Sequence, residues 1–539
     1  IGDAPAERYA AAIGALVADP NTDAILVMNC PTAVVDNVAA ARTVVEAAAK
    51  TSKPVFTSWL GDQGAREARQ GFLDAKLPTY ETPDQSIHAF MLQIRYQQRQ
   101  RLLMEIPPAG PAWPDRDLVK ARTIIDTVLS EGREWLNEAE AKELIAAYGF
   151  PIVETRIVRN VDEAVRVASE LGFPTALKIF SRDITHKTDV GGVALELENA
   201  DAVRAAAEAM RVKVGKAAPN ARIDGFTVQR MASKPSAFEL ILGIVDDATF
   251  GPVILFGQGG TAVEVIRDKA MALPPLNRVL AEDLIRRTRI SKLLEGYRGR
   301  PPADFDAIAG KLMALGDLAA DLPEDCELDI NPLWADQNGV IARDARVRVR
   351  QARSQGTERF AIRPYPSDLE GALQDRRGRP YPMRPIKPED APLIDDALEH
   401  TDPEDLRMRF LSPLRKLPRQ LASRLTQIDY DREMAFVVFT DNTRASVAAV
   451  GRLSEDPDRE RSEYAILVRT DFHGVGLGYA LMLHLIAYAR QRGVGEIFGH
   501  VLRENSHMLD LCEHLGFTRA PVPGEPNLVE MRLPLRNPK

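Results

Sequence analysis

The stretch Glu463-Tyr-Ala-Ile-Leu-Val-Arg-Thr-Asp-Phe-His-Gly-Val-Gly-Leu-Gly-Tyr-Ala-Leu-Met482 decides the reading of this chain. It opens with the alternation of a half-buried strand, passes through glycines at 474, 476 and 478, and runs straight into an apolar-periodic helix. Glycine carries no Cβ, so the backbone N–H groups of such a turn can approach a ligand, and the helix N-terminus adds partial positive charge. That combination holds a pyrophosphate. A Gly-x-Gly-x-Gly run also serves simple turns, so the surroundings decide between the two readings.

Those surroundings add Asn505-Ser-His-Met508 and Leu515-Gly-Phe517, an Asn that opens a helix ending at a glycine turn. Together the two segments resemble the acyl-CoA-binding motifs of GNAT-type N-acetyltransferases, over essentially all of Met383 to Leu535. Gly476 and Gly478 fall at the glycine positions of the first motif, and His473 stands where the family has Gln or Arg. The resemblance implies acetyl-CoA as acyl donor, held by Ile466, Val468, His473, Gly474, Gly476, Gly478, Tyr479 and Asn505. It also implies a role for Glu463. An ammonium has no lone pair, and a free lysine has a pKa of ~10.4, so a base must take a proton before acyl transfer. Glu463 is the expected base; a plain surface carboxylate is the bland alternative. Where many members carry a Tyr as general acid, this chain reads Leu511-Cys512-Glu513. Cys512 is read as a small buried hydrophobe or as a reactive thiol.

In the central section, Lys178 ends the apolar strand Thr175–Ile179 and precedes Asp183-Ile-Thr-His-Lys-Thr-Asp-Val-Gly-Gly-Val193. A lysine there can neutralise nucleotide phosphate. Glu239, the glycine-rich Phe250–Gly260 and Glu327-Leu-Asp-Ile-Asn-Pro332 follow, with Asn331 and Asp344 as hard oxygen donors suited to magnesium. Taken in order, these resemble the ATP-grasp subunit of NDP-forming acyl-CoA synthetases, relatives of succinyl-CoA synthetase, over residues 118 to 350. The resemblance implies ATP or ADP with Mg2+, with Lys178 and Glu239 on the nucleotide, Asn331 and Asp344 on the metal, and His186 as a possible phosphoryl relay. Ala272, in Met271-Ala-Leu-Pro-Pro-Leu276, stands where those synthetases carry an Arg.

Residues 1–106 alternate helices with short apolar strands, as a parallel α/β sheet does, and resemble the last flavodoxin-like domain of the same synthetases, with Cys30-Pro-Thr32 after a strand. The expected architecture is thus an α/β multidomain chain. A flavodoxin-like parallel α/β domain (1–106) is followed by an ATP-grasp α+β domain (115–352), a linker rich in Arg, Gly and Pro (353–382), and a GNAT α/β domain (383–537). The first residue, Ile1, and the helical pattern at the start suggest a truncated or processed chain. The order of domains resembles the large bacterial protein lysine acetyltransferases. That implies protein lysine substrates, plausibly metabolic enzymes such as acyl-CoA synthetases, with a regulatory synthetase-like region. A working NDP-forming synthetase with an accessory acetyltransferase domain is the alternative, and an acyl-CoA or nucleotide sensor the third.

Composition bounds these readings. With 539 residues, 69 Lys plus Arg and 77 Asp plus Glu, the chain is long enough for about three domains at ~100–200 residues each and carries a net charge of −8. An acidic excess disfavours nucleic acid as a partner. The three cysteines show no paired spacing, and no apolar run approaches the ~18 residues of a membrane span, so a reducing cytoplasm and no membrane partner are expected.

Overall fold

A computed structural model describes residues 4–32, 35–107, 110, 115–181, 183–184, 187–231, 236–260, 263–352, 356–412 and 418–536. The chain divides into two compact units, residues 1–103 and 104–539. Among the described residues, no helix is long and apolar enough to cross a membrane.

In the first unit the strands Ile25–Asn29, Val55–Trp59 and Thr79–Tyr80 form a parallel sheet in that order. The helices Ala6–Ala18, Asn37–Ala48 and Pro83–Leu103 alternate with these strands, as the sequence pattern predicts. Gln63–Asp74 is a further helix. Its apolar stripe is small, Ala65, Ala68 and Phe72, and it still packs edge-on against buried Trp59, ring centroids 4.7 Å apart.

The second unit begins with two antiparallel sheets. Thr155–Val158, Gly225–Arg230, Thr175–Phe180 and Val193–Leu197 form the smaller one, in that order. In the larger, Lys269–Ala272, Gly251–Gln258, Phe238–Asp247, Asp325–Asp336 and Gly339–Ala342 lie side by side, and Ala345–Val349 also pairs with Asp325–Asp336. The helix Phe305–Asp321, capped by the Asp304 carboxylate, buries Ile308, Leu312, Leu315 and Leu318 in the core of the larger sheet.

An eight-stranded sheet follows, in the order Gly371–Gln374, Pro380–Pro385, Glu433–Phe439, Val447–Glu455, Arg461–Val468, Glu496–Leu502, Leu528–Pro534, Thr518–Pro521. Every neighbouring pair is antiparallel except Arg461–Val468 with Glu496–Leu502, which is parallel. The helix Leu477–Arg492 packs Leu477, Leu481, Leu485 and Ile486 into the sheet's core.

The expected linker is not a tether over its described residues. Phe360 enters the core of the larger central sheet, Tyr365, Leu373 and Tyr381 enter the core of the eight-stranded sheet, and residues 371–374 and 380–385 are strands of that sheet. Side chains of this size stabilise by about 1.5–3 kcal/mol each when fully buried, which outweighs the solvated preference of the intervening arginines and prolines. Pro380 and Pro382 are tolerated because pairing with Glu433–Phe439 begins only at Met383. Ile106, placed in the first domain by the sequence, packs against the C-terminal core.

Candidate functional site

The parallel pair Arg461–Val468 and Glu496–Leu502 stays in register only from Arg461 opposite Glu496 to Glu463 opposite Phe498. Beyond Glu463 the strands part, and a cavity of about 910 Å³ opens between them. Gly499 keeps the parting tidy: a Cβ there would lie 2.5 Å from the Tyr464 ring, so only glycine lets that ring cross the gap. Tyr464 reaches across to Cys512, its hydroxyl 3.0 Å from Sγ. Burial pushes the Cys512 thiol up to about 11. The small buried hydrophobe, not the reactive thiol, is therefore the reading of Cys512 that fits.

Glu463, Ile466, Val468, His473, Gly474, Gly476, Gly478, Tyr479 and Asn505 all line this one cavity. Gly476 caps the helix Leu477–Arg492 at φ +91°, a left-handed conformation that a side chain strains. Asn505 caps the helix Ser506–His514, its Oδ1 accepting from the Met508 N–H at 3.1 Å. The His473 ring turns back toward its own strand, with Nε2 2.9 Å from the Val468 carbonyl. It therefore sits at the rim and does not reproduce the reach of a Gln or Arg across the loop.

The end of the cavity at Glu463 holds groups that the sequence did not bring to notice. His500 lies between two carboxylates, Nδ1 3.6 Å from Glu463 and Nε2 3.4 Å from Glu530. Burial works to raise the Glu530 carboxyl, but its bonds to Arg532 and Arg461 prevail and hold it below the ordinary value. Arg409, at the end of the helix Pro403–Phe410, also lines the cavity. Burial and the nearby Arg452 lower its pKa to about 10, and Glu463 opposes them. Glu463 itself is half-exposed, so a substrate proton can reach it.

The central sheets carry a second constellation. Glu138, in the first turn of the helix Glu138–Ala147, accepts from Lys178 at 2.7 Å, Lys142 at 3.2 Å and Lys187 at 3.3 Å. Glu138 and Lys142 are buried, with side chains only 7% and 1% exposed. Burial alone would raise the Glu138 carboxyl; the three lysines reverse that and hold it well below the usual carboxylate range. Of the four, only Lys178 was singled out from sequence.

Asp329, Asn331 and Asp344 line a small cavity of about 230 Å³ with Glu264 and Arg346. Pairing with Phe238–Asp247 shifts register between Ile330 and Leu333, because Pro332 has no N–H for the ladder. Asn331 Oδ1 accepts instead from the Gly260 N–H at 2.8 Å, which ties the glycine-rich strand end to the site. Glu239 stands beside that loop, its Oε1 accepting from Trp334 Nε1 at 3.3 Å. Burial raises both Asp329 and Asp344 above the ordinary carboxylate value, Lys178 and Lys142 opposing it at Asp344. Hard oxygen donors of this kind suit a divalent cation. Among the described residues no three His, Cys, Asp or Glu side chains are placed to hold one by themselves. His186 lies outside the described residues. Ala272 sits half-buried opposite Ile254, and Arg287 donates to the carbonyl of the preceding residue, Met271, at 2.7 Å.

Comparison with known proteins agrees with this geometry. The ATP-grasp domain model matches residues 127–349, and the acetyltransferase (GNAT) family model matches residues 403–517. The β subunit of ADP-forming acetate–CoA ligase I from Pyrococcus furiosus is 37% identical over 43% of this chain and 98% of its own length. The ADP-forming acetate–CoA ligase I from Archaeoglobus fulgidus is 34% identical over 64% of this chain, but this chain spans about half of that relative's length, 49%. An acetyltransferase of Pseudomonas aeruginosa is 30% identical over 29% of this chain and 86% of its own length. With the Glu138 lysine cluster at the central sheets and the glycine-turn cavity on the eight-stranded sheet, the chain belongs to two families, the ATP-grasp family of ADP-forming acetate–CoA ligases and the GNAT acetyltransferases.

Proposed function

We propose that the C-terminal cavity transfers the acetyl group of acetyl-CoA to an amine, and that the amine is a protein lysine side chain. The observation that carries this is the placement of Glu463 where strand pairing ends and the cavity begins, with the glycine turn on the same cavity. The glycine turn and helix N-terminus suit the donor's diphosphate, and the open strand edge beyond Glu463 suits its amide-bearing arm. Glu463 takes the proton of the incoming ammonium. The neutral amine attacks the thioester carbonyl, the C–N bond forms, the C–S bond breaks, and the proton that the new amide nitrogen sheds passes through water to the leaving thiolate. Metabolic enzymes such as acyl-CoA synthetases remain the proposed acceptors. Incubation with labelled acetyl-CoA and candidate acceptor proteins, read by mass spectrometry, tests the reading; label on no amine, or label unchanged by Glu463→Gln, overturns it.

A second reading concerns the central sheets. Likeness to a ligase β subunit over almost its entire length supports an active ADP-forming acyl-CoA synthetase, carrying an acetyltransferase domain, better than it supports a silent regulatory region. The lysines around Glu138 fit nucleotide phosphates, and Asp329, Asn331 and Asp344 fit the magnesium that accompanies them. Asp329, Asn331 and Asp344 would hold the magnesium, which would supply positive charge to offset that of the phosphates. Formation of ADP, inorganic phosphate and acetyl-CoA from ATP, acetate and CoA, lost on Lys178→Ala, decides for it. Nucleotide binding without turnover decides for the regulatory role.

A further inference from the structure

The basic run Arg376-Arg-Gly-Arg379 looks, by composition, like part of a solvated linker, and neither reading above uses it. It forms the turn between the strands Gly371–Gln374 and Pro380–Pro385. Asp375 shapes that turn: its carboxylate accepts from the backbone N–H groups of Arg377 at 2.8 Å and Arg379 at 2.9 Å. The turn is docked on the glycine loop of the cavity. The Arg376 N–H donates to the Val475 carbonyl at 3.0 Å, and Tyr381 packs edge-on against Phe472, centroids 6.0 Å apart, just before the loop.

We infer that Arg376 is a donor-binding residue, its guanidinium clamping the diphosphate of acetyl-CoA against the glycine turn. The inference rests on the acetyl-CoA reading of the cavity. Its side chain lies directly on Gly476: a Cβ there would be 2.5 Å from Arg376 Cγ and 3.1 Å from both Cδ and Nε. Arg376 also lines the cavity. Of the nearby arginines, Arg379 lies over the Tyr381 ring and Arg384 forms a buried pair with Asp390. Arg376 has no carboxylate partner among the described residues, and it stands beside the positive end of the helix Leu477–Arg492. Two positive groups repel unless an anion lies between them, and a diphosphate offers oxygens to both. The arrangement also answers the departure at position 473. His473 turns its ring to Val468, and a cation from a different part of the chain takes the place at the loop that a Gln or Arg would fill.

The test is calorimetry on the full chain with two donors, acetyl-CoA and acetyl-pantetheine, which lacks the diphosphate and nucleotide. Arg376→Ala is expected to weaken acetyl-CoA binding by about tenfold, the scale of a charge-assisted hydrogen bond, and to leave acetyl-pantetheine unchanged. Arg376→Lys should recover part of the loss, since it keeps the charge without the planar fork. Equal weakening of both donors would mean that Arg376 merely shapes the loop, and unchanged affinity for both would mean that it does nothing there; either result overturns the inference. Failure of the unsubstituted chain to bind either donor would overturn the acetyl-CoA reading itself, and this inference with it.

Discussion

The two constellations handle charge in opposite ways. At the C-terminal cavity the acidic group, Glu463, is half-exposed, and the surfaces offered to a ligand are mainly backbone: a glycine turn, a helix end and a parted strand edge. Around Glu138 the arrangement is reversed, with one carboxylate enclosed among three lysines, two members of the set almost inaccessible to water. An exposed base can exchange protons with substrate and solvent, as acyl transfer to an amine demands. An enclosed cluster fixes positive charge in place, as phosphate binding demands. Substitutions in the first region should therefore be read in rates and in the second in stability and ligand affinity.

The largest effect is expected at Glu463, the proposed base. Glu463→Gln should lower kcat by ~10²–10⁴-fold, the usual contribution of a general acid or base, with acetyl-CoA affinity preserved. Steady-state kinetics over a range of pH check this, and wild-type turnover would erase the contrast between the two regions.

Next comes the enclosed carboxylate. Glu138→Gln leaves Lys142 and Lys178 without their counter-charge, and loss of one partner of a buried pair costs about 3–5 kcal/mol. Denaturant unfolding measures it. The pH dependence has a definite sign. The folded-state pKa of Glu138 lies below its unfolded value, so its contribution is complete above the ordinary carboxylate range of ~4.3 and is lost as pH falls through the depressed folded value. In Glu138→Gln that acid-side loss should be missing.

A third substitution joins the donor site to the turn at Arg376. Gly476→Val imposes a left-handed φ on a branched residue, worth about 1–3 kcal/mol of strain, and drives a methyl-bearing Cβ into the Arg376 side chain. KM for acetyl-CoA should rise while Glu463 continues to serve. An unchanged KM would detach the glycine turn from the donor.

The same contrast explains what could be read from sequence. The strand, glycine turn and helix of 463–482 are contiguous, so their spacing alone assembled most of one cavity. Groups from distant segments escaped. His500 follows Phe498, the partner of Glu463, by two residues and therefore shares its face, a relation that exists only once the parallel register is known. Glu138 and Lys142 stand four apart on a helix, which in sequence is indistinguishable from an ordinary surface pair; their burial comes from strands far along the chain, Lys142 donating to Gln229 at 3.1 Å. Arg376 was hidden by its neighbours. Prolines and arginines made its segment read as a tether, and the signal that it is a hairpin was the pair of short strands around Gly378, whose apolar members Leu373 and Tyr381 are buried opposite each other.

The smallest expected effect lies in the gap between the parted strands. Tyr464→Phe removes the hydroxyl that meets Cys512, and one hydrogen bond contributes about 0.5–1.5 kcal/mol, so the unfolding midpoint should fall slightly while kcat and KM stay near wild type. Burial pushes the thiol up to about 11, which disfavours the thiolate that a nucleophile or acyl carrier needs. Alkylation of the native chain should accordingly label exposed Cys30 well before buried Cys512. Cys512→Ala should cost stability and spare turnover. An acetyl group trapped on Cys512 during turnover, seen as an acyl-enzyme by mass spectrometry, would move the chemistry off the exposed carboxylate and into the core, and the division between a reactive rim and an inert interior would fail at this site.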